Sequence, residues 1–253
     1  MWLPLLRHLT QTAPRWIVWK NAEFALEGTG DIDSAVPRAD WPPLMKEFHD
    51  WAGEHGLGPV IECPHAPNVM HLVALCDDEP FFELDLMAKK IFLGSTLFEA
   101  EQLLPLAEMD ALGFRRVLPG AEGLMKLVYN GVRRDGTPNV NGLATKRVAE
   151  LLRNDPDGAR LAAEQLFGPA GRAGLRLARV VAAGEWDRRA ALELQAWFLL
   201  RAAREPRSVA ARARFHVARR RCPVLVSVTS GGRRIPGDRE EWITRVRRDH
   251  NVS

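Results

Sequence analysis

Gly30-Asp31-Ile32-Asp33 and, about fifty residues later, Glu83-Leu84-Asp85 set two acidic triplets into otherwise apolar segments. In an extended strand, residues two apart share a face, so Asp31 and Asp33 project together while Ile32 turns toward the core. In FFELDLMA (81–88), Phe82, Leu84 and Leu86 alternate with Glu83, Asp85 and Met87, which marks a second strand. If the two strands pair, three or four carboxylates, Asp31, Asp33 and Asp85 with or without Glu83, crowd onto one patch. Their repulsion must be relieved by a cation or by raised pKa values. Hard oxygen donors at that density suit Mg²⁺, which completes its shell with water and substrate phosphates. Two such ions can clamp the attacking and leaving oxygens of a phosphoryl or nucleotidyl transfer. Taken singly, each triplet is explained as well by a solvated strand end. The pair of them, with a helix and strands between, points to chemistry.

Outward from these triplets, residues 14–93 read as mixed α and β. RWIVWK (15–20) is a β-type run, NAEFALEGTG a turn or short helix, and DIDSAV (31–36) the next strand. Asp40 followed by WPPLMKEFHDWAGEHG, with Pro just inside and Gly56 just past the end, predicts a helix. VIECPHA and NVMHLVAL predict two strands before FFELDLMA, and a Gly94-Ser95 turn closes the unit. From about residue 97 the apolar spacing becomes three and four. LFEAEQLLPLAEMDALG, EGLMKLVYNGVRR, TPNVNGLATKRVAELLRN and the segments to about residue 204 are expected as amphipathic helices. CPVLVSVTS (222–230) reads as one more strand. The expected fold class is α+β: a small mixed-sheet domain over 1–130, a helical domain over 131–222, and a terminal strand with a basic tail over 223–253.

The acid pattern resembles the nucleotidyltransferase superfamily, with its polymerase-β-like fold. There a D-h-D pair on one strand and a third acid on a neighbouring strand hold the catalytic metals. The resemblance covers roughly residues 15–130. It implies that Asp31 and Asp33 match the pair and that Asp85, flanked by Leu84 and Leu86, matches the third position better than Glu83. Mg²⁺ is the implied cofactor, with two ions accommodated. The family's Gly-Ser before the acids is replaced here by Trp19-Lys20-Asn21, so Lys20 would meet a phosphate as a point charge and Asn21 would hydrogen-bond it. The resemblance also assigns Lys126, in the helix after the sheet, to the phosphates. Tyr129, three residues on and on the same side, is placed to stack on a base. A closer likeness is to the nucleotidyltransferase-like proteins of bacterial polysaccharide and natural-product gene clusters, in which a strand ending in Lys or Arg precedes a GDID-type motif. The implied activity is transfer of a nucleoside monophosphate from an NTP, with ATP among the candidates, to a hydroxyl-bearing acceptor. The alternative is a catalytically inactive module of the same fold that binds a nucleotide or a protein.

Composition narrows the remaining classes. The 253 residues are 46% apolar and 26% charged, which excludes disordered, collagen-like and coiled-coil proteins. No apolar run approaches the ~18–20 residues of a membrane span. The N-terminal MWLPLLRHLTQTAPRW, interrupted by Arg7 and His8, is expected as an amphipathic helix and not a signal peptide. Three cysteines supply no disulfide framework, so a cytoplasmic location is expected. Cys63, His65, His71 and Cys76 match no common zinc-finger spacing and are read as strand residues. Residues 1–126 carry 10 basic and 19 acidic side chains, and residues 127–253 carry 25 and 13. The Arg-rich stretch 201–221 in that basic half admits nucleic-acid binding, and so a third reading as a toxin-type transferase acting on tRNA. GGRRIPGD after the last strand has the outline of a P-loop without GK[ST]. In some relatives a kinase-like domain would begin there.

Overall fold

Period-two apolar alternation in the first half of the chain and a three-to-four spacing in the second produce a sheet and a stack of helices. The computed structural model describes residues 2–28, 30–75, 82–139 and 145–205, with 209–210, 213–215, 217 and 227–229 beyond them. The strands are β1 (Ile17–Lys20), β2 (Ile32–Ala35), β3 (Val60–Ala66), β4 (Val69–Ala74), β5 (Phe82–Met87), β6 (Lys89–Phe92), β7 (Ser95–Glu99), β8 (Ala107–Met109), β9 (Arg115–Val117) and β10 (Ser227–Thr229). The α-helices are α1 (Trp2–Thr12), α2 (Ala22–Leu26), α3 (Trp41–Glu54), α4 (Ala100–Leu103), α5 (Pro119–Gly131), α6 (Thr145–Asn154), α7 (Pro156–Phe167), α8 (Gly171–Ala182) and α9 (Arg188–Arg204). The fold is α+β, as expected. Among the described residues, no helix is long and apolar enough to cross a membrane.

One mixed sheet runs in the order β10-β3-β4-β5-β2-β1-β9-β8, and β6-β7 forms a separate hairpin. β2 pairs parallel with β5 and β1 parallel with β9, while the other ladders of the large sheet are antiparallel. On one face, Val18, Ile32, Leu72, Leu84 and Leu86 pack under Leu5, Leu6 and Leu9 of α1 and Leu44 and Phe48 of α3. On the other, Ile17, Trp19, Ala35 and Met87 pack with apolar residues of α5 to α9. Because side chains alternate along a strand, Asp33 shares the face of Ala35 and Asp85 that of Met87. The acids therefore lie on the side of the sheet that the helices of the second half cover.

The residues from 97 to 117 depart from the helical expectation. Leu97 and Phe98 belong to β7 and are buried there, because the chain reverses tightly at Leu93 (φ 48°) and Gly94 (φ 85°) to form the β6–β7 hairpin. Only α4 is helical within LFEAEQLLPLAEMDALG, opened by a reciprocal capping box between Glu99 and Gln102. Pro105 cannot continue it, so the chain passes through a 3₁₀ turn (Leu104–Leu106) into β8, which pairs with β9. Helices α5 to α9 otherwise follow the sequence pattern. The predicted strand over 222–230 is described at Ser227–Thr229, which adds antiparallel to β3. The 231–253 tail lies outside the described residues.

Close packing of α5 on α7 has a definite cause. A Cβ on Gly120 would stand 1.7 Å from the Asp155 carbonyl oxygen, so only glycine permits this approach. The Asp155 carboxylate accepts from Gly158 N at 2.8 Å, capping α7, and from Gly120 N at 2.9 Å, tying in the start of α5.

Candidate functional site

The backbone register builds the site before any side chain is considered. Asp33 on β2 is the ladder partner of Asp85 on β5, and Asp85 is the partner of His71 on β4. On the other side, Lys20 of β1 stands opposite Asp33. A register shift between Val18 and Lys20 makes this possible, since Val18 pairs with Ser34 and an unbroken ladder would set Trp19 against Asp33. The bulge thus aims an ammonium group, in place of an indole, at the acids. The result is a row across four adjacent strands: Lys20, Asp33, Asp85, His71. The Ser34 hydroxyl donates to the Asp85 carbonyl oxygen at 2.5 Å and pins the register of β2 and β5.

The structure brings Asp31, Asp33 and Asp85 together. One carboxylate oxygen from each lies within 4.8 Å of the others. Asp33 and Asp85 are 3% and 5% exposed, whereas Asp31, at the mouth, is half-buried. Lys20 forms an ion pair with Asp33, and Asn21 Nδ2 approaches the same carboxylate at 3.5 Å. Lys126 Nζ donates to Asn21 Oδ1 at 2.7 Å and lies 3.4 Å from Glu122 Oε1. The positions expected to hold phosphates therefore do meet at one edge of the acid cluster. Tyr129 lies one turn further along α5. Its ring is covered by Lys90 Nζ, 3.9 Å from the centroid, and Lys90 also lies 5.7 Å from the Trp19 ring.

Burial sets the electrostatics. Burial pushes the Asp33 carboxyl up to about 7, with Asp85 and Asp31 adding to the effect against the opposing pull of Lys20. Asp85 is raised as well, by burial above all and by Glu83 and Asp31, with His71 opposing. Burial disfavours the Lys20 ammonium, but Asp33, Asp31 and Asp85 outweigh it and raise the group above its ordinary value. His71 is held up to about 10, because Asp85 and Glu83 overcome the opposing effect of burial. When ionised, Asp31, Asp33, Glu83 and Asp85 face the two cations Lys20 and His71, an excess of two negative charges. The oxygen donor set and this charge both fit a divalent cation.

Three contributors carried little sequence signal. Glu122, almost wholly buried on α5, accepts the Asn21 backbone N–H at 3.2 Å and pairs with Arg116 at 3.1 Å. Arg116 in turn reaches Glu23 at 2.7 Å, and Arg147 of α6 meets the same Glu23 at 2.8 Å, which joins the helical stack to the site's edge. Lys90 lies on β6, a strand that the apolar pattern of residues 14–93 does not mark. His71 was visible only within a cysteine–histidine spacing, whereas its partners are Asp85 at 2.9 Å and Glu83, an ion pair. Of the other members of that spacing, Cys63 is the β3 ladder partner of His71, and Cys76 and the His65 side chain lie outside the described residues. Within the Arg-rich stretch 201–221, residues 206–208, 211–212, 216 and 218–221 also lie outside them, and Arg201 pairs with Glu205 at 2.9 Å.

No family model matches the chain, and no curated protein or solved structure matches it either.

Proposed function

We propose that this chain is a metal-dependent nucleotidyltransferase, moving a nucleoside monophosphate from a triphosphate to a hydroxyl-bearing acceptor. The observation that carries this reading is the convergence, within 4.8 Å, of Asp31 just before β2 with Asp33 of β2 and Asp85 of its parallel neighbour β5, with Lys20, Asn21 and Lys126 at the edge. Asp31, Asp33 and Asp85 would hold Mg²⁺, which supplies charge stabilisation for the attacking and leaving oxygens. Lys20 and Lys126 provide cations for the triphosphate, and Asn21 links them. The acceptor oxygen forms a bond to the α-phosphorus, the bond to the bridging α–β oxygen breaks, and pyrophosphate leaves. The acceptor's proton passes to a carboxylate of the cluster, and Asp31 is the one open to an incoming group.

A second reading, a non-catalytic module of the same design, is favoured by one observation. Lys20 and His71 already pair with Asp33, Asp85 and Glu83 from within. Thermal unfolding with each nucleoside triphosphate, with and without Mg²⁺, separates the two. A ligand at ~100 times its dissociation constant stabilises by about 2.7 kcal/mol. The enzyme reading expects a Mg²⁺-dependent shift with at least one triphosphate, lost in Asp31→Asn/Asp33→Asn, followed by pyrophosphate release once an acceptor is supplied. A shift with nucleotide alone, equal in the double variant and without Mg²⁺, supports the binding module and removes the enzyme.

A further inference from the structure

We infer that His71, Glu83 and Asp85 form a transition-metal site of their own, beside the three aspartates and sharing Asp85 with them. Of its three ligands only Asp85 also serves the nucleotidyl-transfer reading. His71 and Asp85 are ladder partners on β4 and β5, and Glu83 lies two residues from Asp85 on the same face of β5. All three groups therefore rise from rigid, paired strands. One ring nitrogen of His71 and one oxygen from each carboxylate lie within 4.8 Å of one another, and Nδ1 stands 2.9 Å from Asp85 Oδ1. Metal–ligand bonds of about 2.1 Å require neighbouring donor atoms roughly 3.0–3.4 Å apart, so little movement is needed to surround an ion.

The hydrogen-bond inventory adds a second observation. Nδ1 carries at most one proton, and ionised carboxylates only accept. That proton is engaged by Glu83. Asp85 Oδ1, wholly buried, faces Nδ1 but receives no hydrogen bond of proper geometry from any described residue. A metal dication in the place of this proton would bond to all three donors at once. Entry of the ion releases one proton from Nδ1, so charge and atoms balance with no redox step.

The donor set also states which ion. Asp31, Asp33 and Asp85 offer oxygen alone, the preference of Mg²⁺. One imidazole nitrogen with two carboxylates suits Mn²⁺, Fe²⁺, Co²⁺ or Zn²⁺ instead. The row across the sheet thus offers a hard site and a borderline site joined through one carboxylate.

Co²⁺ titration tests this, using the full chain stripped with a chelator and an excess of Mg²⁺ throughout. The expected result is one tightly held Co²⁺ with visible absorption bands. His71→Gln and Glu83→Gln should each weaken it at least tenfold, and Asp31→Asn/Asp33→Asn should retain it. Displacement of Co²⁺ by Mg²⁺, or unchanged affinity in His71→Gln, overturns the site. So does loss confined to the aspartate double variant. Should the His71 variant fail to fold, the unaltered protein still decides. Sub-stoichiometric Mn²⁺ must broaden the imidazole nitrogen resonances of His71 before those of the other histidines, and their persistence at saturation refutes the assignment. A Mg²⁺-dependent nucleotide shift without any His71-dependent metal removes this inference alone. The opposite pattern removes only the nucleotidyl-transfer reading.

Discussion

Asp33 carries the most testable electrostatics of any single residue. Burial pushes its carboxyl up to about 7 in the fold, against about 3.9 for an unfolded Asp. Between these values the folded state binds more protons, so the metal-free protein loses this contribution to stability as pH rises through that window. A bound divalent cation works in the opposite sense, since it requires the ionised carboxylate. The expected outcome is a rise in melting temperature with Mg²⁺ that is small near pH 5.5, grows through pH 7 and levels off near pH 8. A shift independent of pH would show that Asp33 is not a ligand. Lys20 acts on the same group. Breaking a buried ion pair costs about 3–5 kcal/mol, reduced here because Asp33 can take up a proton. Lys20→Met is therefore expected to melt lower than the unaltered protein and to regain more stability from Mg²⁺, as thermal unfolding with and without the ion will show. Triphosphate-dependent stabilisation should fall in the same variant.

At the scale of elements, the bulge in β1 and the contact of α5 with α7 place the groups that matter. Asp155 holds the first turn of α7 and the first turn of α5 with one carboxylate. Asp155→Ala is expected to cost about 0.5–2 kcal/mol, the usual range for a lost cap. For a chain of this size that lowers the melting temperature by roughly 2–4 °C per kcal/mol. Gly120→Ala should be worse, because the added methyl meets backbone that cannot rotate away. It should also weaken triphosphate-dependent stabilisation, since α5 carries Glu122 and Lys126 into the site's edge. A Gly120→Ala protein with lower stability but unaltered nucleotide response would separate the packing role of this contact from the site.

Across the whole molecule, one apolar core runs from Ile17 and Trp19 in the sheet to Phe198 in α9. Phe198 meets Phe92 of the β6–β7 hairpin and Phe167 of α7 edge-on, at centroid distances of 5.2 and 5.8 Å. Sheet, hairpin and helices should then melt together. Phe198→Ala, at about 3–5 kcal/mol for a buried aromatic, is expected to lower one calorimetric transition without splitting it. Two resolved transitions would mean that the helices are stable apart from the sheet.

Local pattern alone was enough for the α+β class, for β2 and β5, and for Asp31 with Asp33, and Glu83 with Asp85, as residues sharing a face of their own segment, because strand alternation is a property of neighbours in the chain. It was also enough for α3 and for α5 to α9, whose stripes and breakers are local. The region 97–117 departs from its helical spacing because a buried hairpin strand and a short helix ended by Pro105 imitate that spacing over a few residues. Parallel pairing of β2 with β5, the bulge that sets Lys20 opposite Asp33, and the joining of His71 to Asp85 were decided only by the tertiary structure. Those contacts link residues far apart in the chain, and their register depends on how two faces of one sheet are covered at once.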